Sequence, residues 1–337
     1  MTTSTEWQPD ILGPDFRCLE LPLGTDPDGE GEIQVTLVRY YPGDQEPKED
    51  FYTRPAIVWV HGMSDYFFQT HVAQHFHQAG YAFYALDLRK CGRSRQEGQS
   101  WHYASDFELY FDDLNVTMDQ VCGPHGSMTL IAHSTAGAIT PLWLNNLRVT
   151  APQSHKKIDS LILNSPWLDI MGVPTAALRV LKPAVRLFSR VSPFTAFPGG
   201  GLTAYAESLH VADKGEWDFD TTLKPKHGHR KYLGWLNAVL RAQREIHKGN
   251  IDIGVPCLAL CSHRSQLGQP YNSESNTVDL IIDVKHVHQW APNIGKEVTI
   301  YPILGARHDV FLSLERPRQE AFSITQEWLD TLTDHKN

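Results

Sequence analysis

Short apolar runs alternate with segments of helical periodicity along much of the chain. Such runs occupy residues 56–62, 82–88, 128–134 and 160–166. Runs of this length predict strands that are buried on both faces of a sheet. The segments between them repeat their apolar residues every three or four positions, which indicates helices. This alternation predicts an α/β fold in which helices cover a mostly parallel sheet.

The two ends of the chain add further elements to this sheet. Extended runs at 16–24 and 33–42 flank a turn rich in Gly, Asp and Pro, so we expect an N-terminal antiparallel hairpin. The strand pattern returns at residues 256–262 and 297–308. An amphipathic closing helix is predicted over about 313–332.

The alternation stops between residues 167 and 251. Helical patterns there are interrupted by prolines and a glycine triplet, yet aromatic and aliphatic residues persist throughout. The interruptions are Pro183, Pro193, Pro198 and residues 199–201. We therefore expect an inserted helical cap rather than a linker. The predicted core consists of residues 1–166 and 252–337, with the cap at 167–251.

Composition narrows the class of protein. With 337 residues, 41% of them hydrophobic, the chain can form one large core with an insertion, or two modest domains. The net charge of −9 is spread along the chain, so no nucleic-acid partner is expected. The N-terminus shows no leader pattern and no apolar run is long enough to span a membrane, so we expect a cytoplasmic protein.

Cysteine and histidine usage gives no sign of a metal site. The five cysteines are an odd number without CxxC spacing, so we expect free thiols and no zinc. His71 and His75 stand four residues apart on a predicted helix, with His77 nearby, but no carboxylate completes a site. A partly buried helix face explains these histidines better, and no metal or other cofactor is expected.

Ser134 stands between the apolar run MTLIAH and the helical pattern AGAITPLWLNNL. A serine on a tight turn from strand to helix is typical of a nucleophile elbow, where crowding requires small neighbours. Those neighbours are Ala132, Ala136 and Gly137. The usual GxSxG pattern is altered, because alanine replaces both glycines. A serine that merely ends a buried strand remains the alternative, since short motifs often occur by chance.

A serine hydrolase also needs two oxyanion donors, a base and an acid, in a fixed order along the chain. The backbone N–H groups of Met63, after His61-Gly62, and of Thr135 are the predicted donors. His308 directly follows the last predicted strand and is the predicted base. Asp279 and Asp283 both follow the preceding strand, and either could orient the histidine.

Three stretches then resemble the α/β-hydrolase superfamily, and within it the monoacylglycerol lipase, lysophospholipase and serine aminopeptidase group. They are VHGMSDY, DLRKCGRS with the following SDFELYFDDL, and AHSTAGA. Lys90 and Cys91 replace the more usual Gly and His of the middle one. The resemblance covers nearly the whole chain. It implies an eight-stranded, mostly parallel sheet with an N-terminal antiparallel hairpin and a helical cap, a triad of Ser134, Asp279 and His308, and no cofactor.

We favour Asp279 over Asp283 as the acid. It precedes His308 by 29 residues, which leaves room for one helix and one strand, and related lipases look similar in this interval. If residues 278–290 form a helix, Asp279 lies at its beginning. The long insertion at 262–277 could place the acid differently.

The predicted chemistry is acyl transfer from a small carboxylic ester with an apolar acyl part to water. Candidate cavity residues are His133, Trp167, Phe188, Trp217 and Trp235. An aminopeptidase or amidase could use the same triad and would need cap carboxylates to hold the substrate amine. The candidates for that role are Glu207, Asp213, Glu216, Asp218 and Asp220. A non-catalytic ligand receptor on the same scaffold is the remaining alternative.

The cap also contains a cationic amphipathic segment. Basic residues recur at helical spacing opposite aliphatic ones, and Pro183 interrupts the pattern. The basic residues are Arg179, Lys182, Arg186 and Arg190, and the aliphatic ones are Leu178, Leu181, Val185 and Leu187. This pattern predicts either weak contact with a membrane surface or a cap helix with a solvated basic face.

Overall fold

Eleven strands and ten α-helices follow one another in the part of the chain that the computed structural model describes, residues 6–43, 46–173, 175–197 and 202–334. The strands are β1 (Gln8–Asp10), β2 (Gly13–Thr25), β3 (Glu32–Tyr40), β4 (Ala56–Val60), β5 (Ala82–Asp87), β6 (Met128–His133), β7 (Ile158–Asn164), β8 (Ala196–Phe197), β9 (Lys231–Tyr232), β10 (Cys257–Ser262) and β11 (Val298–Ile303). The helices are α1 (Glu49–Tyr52), α2 (Thr70–Gln78), α3 (Tyr110–His125), α4 (Ala136–Thr150), α5 (Pro152–His155), α6 (Thr175–Val191), α7 (Thr203–Leu209), α8 (Leu233–His247), α9 (Val284–Trp290) and α10 (Glu315–Asp334).

Nine of these described strands form one sheet in the order β1-β2-β3-β5-β4-β6-β7-β10-β11. The β1–β2, β2–β3 and β3–β5 pairs are antiparallel, and every later pair is parallel. The mostly parallel sheet and the N-terminal hairpin are therefore confirmed, with one strand more than expected. The chain crosses β4 between β5 and β6, which opens a crevice at the carboxyl ends of β4 and β6.

The central strands are apolar because the sheet is covered on both faces. Every residue of β4, β5 and β6 is buried. Side chains alternate between two clusters, with Val58 and Val60 on one face and Ile57 and Trp59 on the other. Burial on both faces removes the polar alternation that a half-exposed strand would show. Loops at the carboxyl edge of this rigid sheet are consequently held in fixed positions.

The segment between β7 and β10 contains α6, α7 and α8 and the two-stranded β8–β9 sheet. The buried face of α8, including Trp235 and Val239, belongs to the same hydrophobic cluster as the central strands. In contrast, Phe188 and Val191 of α6 are exposed. The division at residues 167–251 stays a prediction. Because α8 packs into the core, we propose that the cap ends before Leu233.

A buried lysine fastens the N-terminal hairpin to the core. Lys90 is fully buried, and its Nζ lies 2.7 Å from Asp26 Oδ2, 3.6 Å from Asp28 Oδ2 and 3.0 Å from Glu30 Oε2. All three carboxylates belong to the β2–β3 turn region. A buried ammonium needs such partners because its desolvation is costly. Lys90 thus ties the turn to the loop that follows β5.

Other features of the fold bear on the sequence expectations. The closing helix α10 begins at Glu315, two residues later than predicted. All five cysteines lie in the described part of the chain and are free thiols. No helix within the described ranges is long and apolar enough to cross a membrane. The cytoplasmic location stays a prediction.

Candidate active site

Ser134 occupies the tight turn between β6 and α4. Its φ angle is +52°, a left-handed conformation that costs free energy for a residue with a side chain. Two backbone hydrogen bonds hold the turn: Ser134 N donates to Asn164 O (3.0 Å), and Trp167 N donates to Ser134 O (2.9 Å). The turn therefore presents the Ser134 side chain at the carboxyl edge of the sheet.

The neighbours of Ser134 are small because the turn is crowded. A Cβ on Gly137 would lie 2.5 Å from Pro166 Cβ, and one on Gly62 would lie 2.8 Å from Ser134 Cβ. Both contacts are too close for a larger residue. The close approach at Gly62 brings the loop after β4 directly against Ser134.

The structure brings Ser134, His308 and Asp279 into one hydrogen-bonded chain. His308 Nδ1 lies 2.8 Å from Asp279 Oδ2, and His308 Nε2 lies 3.0 Å from Ser134 Oγ. Because an ionised carboxylate only accepts, Nδ1 carries the hydrogen and the Nε2 lone pair faces the Ser134 hydroxyl. All three residues are buried, with Asp279 fully enclosed. This arrangement can remove a proton from Ser134 and stabilise the resulting imidazolium.

Asp279 lies in the loop before α9. The helix considered over 278–290 was wrong at its N-terminal end. Helix α9 begins at Val284, and Asp283 caps it by accepting a hydrogen bond from Lys285 N (3.1 Å). The long insertion closes on itself, because Asp279 N donates to Arg264 O (3.0 Å). Asp279 thereby returns to the end of β10. Its other oxygen, Oδ1, accepts from Ile281 N and Ile282 N (2.7 and 2.9 Å).

A buried polar network next to His308 was not anticipated from the sequence. Asp309 accepts hydrogen bonds from Asn164 Nδ2 (2.7 Å) and Gln69 Nε2 (2.9 Å). Asn164 also accepts from Val310 N through its side chain (3.1 Å). These bonds join the His308 loop to the end of β7 and to the loop before α2. The only sequence signal was the polar residue Asn164 at the end of an otherwise apolar run.

Two backbone N–H groups lie open beside Ser134. Within the described ranges, neither Met63 N nor Thr135 N donates a hydrogen bond. His61 accepts from Leu88 N at Nε2 (3.1 Å), so its Nδ1 donates to Gly62 O (2.6 Å). In a trans peptide the N–H points opposite to the C=O. His61 therefore turns the Met63 N–H away from itself.

The loop that carries Met63 is also bound to the inserted segment. Lys224 Nζ lies 2.6 Å from Asp65 Oδ1, and both side chains are buried. His229 N donates to Ser64 Oγ (2.8 Å), and Asp220 N donates to the hydroxyl of Tyr66 (2.8 Å). This contact, also missed from the sequence, holds the insertion against the loop after β4.

A cavity of about 390 Å³ opens at Ser134. Its wall is formed by Met63, Ser134, Thr135, Trp167, Met171, Gly172, Leu202, Lys231, Trp235, Leu267, Gly268, Leu280 and Ile281. Apart from Lys231, these described residues carry no charge. The wall can therefore accept an apolar group whose reacting carbon lies next to Ser134 Oγ.

Two of the predicted cavity residues lie elsewhere. Phe188 is 61% exposed, so it faces solvent from α6. Trp217 stacks on His71 at 4.3 Å and donates from its indole N–H to Leu312 O (2.8 Å). Both predictions were wrong because aromatic content alone does not tell which face of the insertion points inward. By contrast, Trp167 and Trp235 lie on the cavity wall with their rings 5.9 Å apart.

His133 lies behind Ser134 rather than on the large cavity. Its ring is 4.8 Å from that of His308, and it borders a small recess of about 50 Å³ next to Ser134. Burial lowers the pKa of His133 to about 4, so the ring is neutral near pH 7. Its Nδ1 donates to Asn164 O (3.0 Å). The residue packs beneath the site as a neutral hydrogen-bond donor.

The acidic residues of the insertion do not line the cavity. Asp213 pairs with Lys226, and Glu216 pairs with Arg318. Asp220 caps its own turn by accepting from Thr222 N (2.6 Å). Glu207 borders a separate groove, and Asp218 is exposed. The described residues also contain no cluster of three or more side chains suited to hold a metal ion.

Fold and sequence together define the class of protein, an α/β hydrolase. The family described as "Serine aminopeptidase, S33" matches residues 52–315, which is well over half of the chain. The chain therefore belongs to this family. No curated protein matches it.

Solved structures share its fold at low sequence identity. A soluble variant of monoglyceride lipase from Saccharomyces cerevisiae, in complex with a substrate analog, is 16% identical and covers 98% of this chain and 96% of its own, with a TM-score of 0.63. A monoacylglycerol lipase from Paleococcus ferrophilus is 18% identical. The match covers 83% of this chain and 96% of the lipase, with a TM-score of 0.58. A lipase in its open form is 17% identical. The match covers 94% of this chain and 99% of the lipase, with a TM-score of 0.62.

Proposed function

We propose that the protein is a serine hydrolase that cleaves a carboxylic ester with an apolar acyl part. Ser134 attacks the ester carbonyl while His308 takes its proton, and Asp279 holds His308 in the required tautomer. The N–H groups of Met63 and Thr135 bind the developing oxyanion. The alcohol leaves with the proton from His308. Water, activated by His308, then hydrolyses the acyl-enzyme.

One observation carries this proposal. The Ser134–His308–Asp279 chain ends at an apolar cavity whose edge holds two free backbone N–H groups. A nucleophile, base, acid and oxyanion donors at one point are what acyl transfer requires. The low-identity lipases support the same fold but not a substrate.

An aminopeptidase is favoured less. Such an enzyme must neutralise the substrate ammonium, which needs a carboxylate near Ser134. Among the described cavity residues the charged one is Lys231, a cation. Asp65, which borders the small recess, is already paired with Lys224. A positive charge on the wall would repel a substrate amine, so we favour esters.

Turnover of p-nitrophenyl esters and aminoacyl p-nitroanilides by the wild type and by Ser134→Ala tests the proposal. We expect ester hydrolysis that falls about 10⁶-fold in the variant, because the remaining groups cannot form the acyl-enzyme. Faster anilide than ester hydrolysis would favour the aminopeptidase. A folded wild type that no fluorophosphonate probe labels would favour the receptor alternative and overturn the proposal.

We further propose that the cap makes weak contact with an anionic membrane surface. Basic side chains from α6 and α8 line one groove, and the apolar Leu187, Phe188 and Val191 are exposed nearby. The basic residues are Lys182, Arg186, Arg190, Arg241 and Arg244. A helix that carries both cationic and exposed apolar side chains suits an interface of anionic headgroups and acyl chains. The predicted contributions of the Leu178 and Arg179 side chains lie outside the described residues.

A further inference from the structure

Two lysines within the described ranges are buried, and both have carboxylate partners. Lys90 contacts Asp26 and Glu30, and Lys224 contacts Asp65. Each pair offsets the cost of removing an ammonium from water. Lys231, in β9, is partly buried on the wall of the cavity beside Ser134.

Lys231 has no anionic partner within the described ranges. Its amino group forms neither an ion pair nor a hydrogen bond there. Burial lowers the pKa of Lys231, and no neighbouring carboxylate acts in the opposite direction. An ammonium in this position is poorly compensated, and a bound anion would favour its charged form.

The other described residues of the cavity wall carry no charge that Lys231 could neutralise. Its neighbours on the cavity, such as Trp167, Leu202, Trp235 and Leu280, are apolar. Methionine or leucine would fill the same space without desolvating an amine. A charged group kept in an apolar cavity next to a nucleophile is more typical of ligand recognition than of packing.

We propose that Lys231 binds an anionic group of the substrate, so that the preferred ester carries a carboxylate or phosphate in addition to its apolar chain. This inference rests on the proposed ester hydrolysis and names its substrate class. The apolar wall holds the chain, and Lys231 binds the anion. An ion pair in this partly water-excluded cavity is stronger than one at an exposed surface.

Two pairs of substrates locate the anion. On the acyl side, p-nitrophenyl half-esters of dicarboxylic acids are compared with p-nitrophenyl esters of unsubstituted acids of equal length, over a series from four to ten carbons. On the alcohol side, a monoacylglycerol phosphate is compared with the corresponding monoacylglycerol. The quantity measured is the ratio of kcat/KM, anionic over neutral. This ratio does not depend on the folded fraction of each preparation.

We expect the wild type to prefer the anionic member of one pair. Lys231→Met should reduce that ratio at least tenfold, and Lys231→Arg should retain most of it because the charge remains. Lys248→Met, which removes a surface partner of Glu245 elsewhere in the segment between β7 and β10, is the matched control and should leave the ratio unchanged.

Failure of this inference is distinguishable from failure of the proposed function. If neither ratio changes in Lys231→Met while hydrolysis still depends on Ser134, the anion proposal is overturned and ester hydrolysis stands. If turnover persists in Ser134→Ala, the proposed function itself fails. Equal effects of Lys231→Met and Lys248→Met on the ratio would reflect general surface charge and would also overturn the assignment.

Discussion

The cavity beside Ser134 has two walls of different construction. One comes from loops at the carboxyl edge of the sheet, including Met63, Thr135 and Ile281, and it offers backbone N–H groups and the Ser134–His308–Asp279 chain. The other comes from the segment between β7 and β10, and it offers Trp167, Met171, Leu202 and Trp235. The sheet wall is polar and held by buried hydrogen bonds, whereas the inserted wall is largely apolar.

This difference separates chemistry from substrate choice. Reacting groups need positions fixed to within a fraction of an ångström, which the ends of buried strands provide. An apolar wall needs only the right shape and volume, so an insertion can change without disturbing the reaction. Substitutions in the sheet wall should therefore affect turnover, and those in the inserted wall should affect which ester is preferred.

After the loss of Ser134 itself, the largest effect is expected in the sheet wall, at Asp279. Asp279→Asn should lower kcat for a p-nitrophenyl ester about 10⁴-fold, because an amide that donates to His308 Nδ1 stabilises the wrong tautomer. Asp283→Asn is the matched control and should retain near wild-type kcat, since Asp283 only caps α9. A larger loss in Asp283→Asn would move the acid to that residue.

The next largest effect is expected on stability, at the ion pair that connects the two walls. Lys224→Met should lower the free energy of unfolding by about 3 kcal/mol, because it leaves the buried Asp65 carboxylate unpaired. Urea denaturation measures this loss. Adding Asp65→Asn should recover part of it by removing the unpaired charge. Wild-type stability in Lys224→Met would show that the two walls are not joined through this pair.

A smaller, selective effect is expected in the inserted wall. Trp167→Leu should shift the preferred acyl length of p-nitrophenyl esters upward, changing the ratio of kcat/KM for twelve-carbon over four-carbon esters about tenfold. The extra space takes additional methylene groups. Trp217→Leu serves as the comparison and should leave the ratio unchanged, because Trp217 packs on His71 away from the cavity. Equal shifts would contradict the wall described here.

The smallest effect concerns the outer face of the insertion. Replacing Leu187 and Phe188 by serine should weaken binding to vesicles of anionic lipid about fivefold, since both side chains are largely exposed. Sedimentation with the vesicles measures the bound fraction. Val149→Ser, at an exposed position of α4, is the control. Unchanged sedimentation of the double variant would remove the membrane proposal, and turnover of a water-soluble ester should stay the same.

The sheet wall could be predicted well from the sequence because the order of the strands along the chain determines where the residues that follow them lie. Strands show as apolar runs, and in a parallel sheet the residues that follow them meet at one edge. Ser134 and His308 each follow such a run directly, so their meeting could be expected, whereas Asp279 comes after the long insertion and returns to this edge through its backbone hydrogen bond to Arg264 O. The start of α9 was misplaced because Asp283, its cap, sits within an apolar stretch that looked helical from residue 278.

The inserted wall was predicted poorly for the opposite reason. Its contacts join residues that are distant in the chain, such as Lys224 and Asp65, 159 residues apart. Local periodicity contains no information about such partners. Phe188 and Trp217 were misplaced because any aromatic residue fits a cap equally well when the inward face is unknown. Lys231 stands in a stretch rich in Lys, His and Arg that resembles an exposed loop.

Because Lys90 is enclosed among three carboxylates, its chemical reactivity can be used to measure how often the hairpin opens. An amine with no exposed surface cannot be acylated by a water-soluble reagent until the β2–β3 turn separates from the loop after β5. Its labelling rate, followed by mass spectrometry of the peptide that contains it, therefore reports how often the N-terminal strands detach. Exposed lysines such as Lys296 would be labelled at once and give the reference rate.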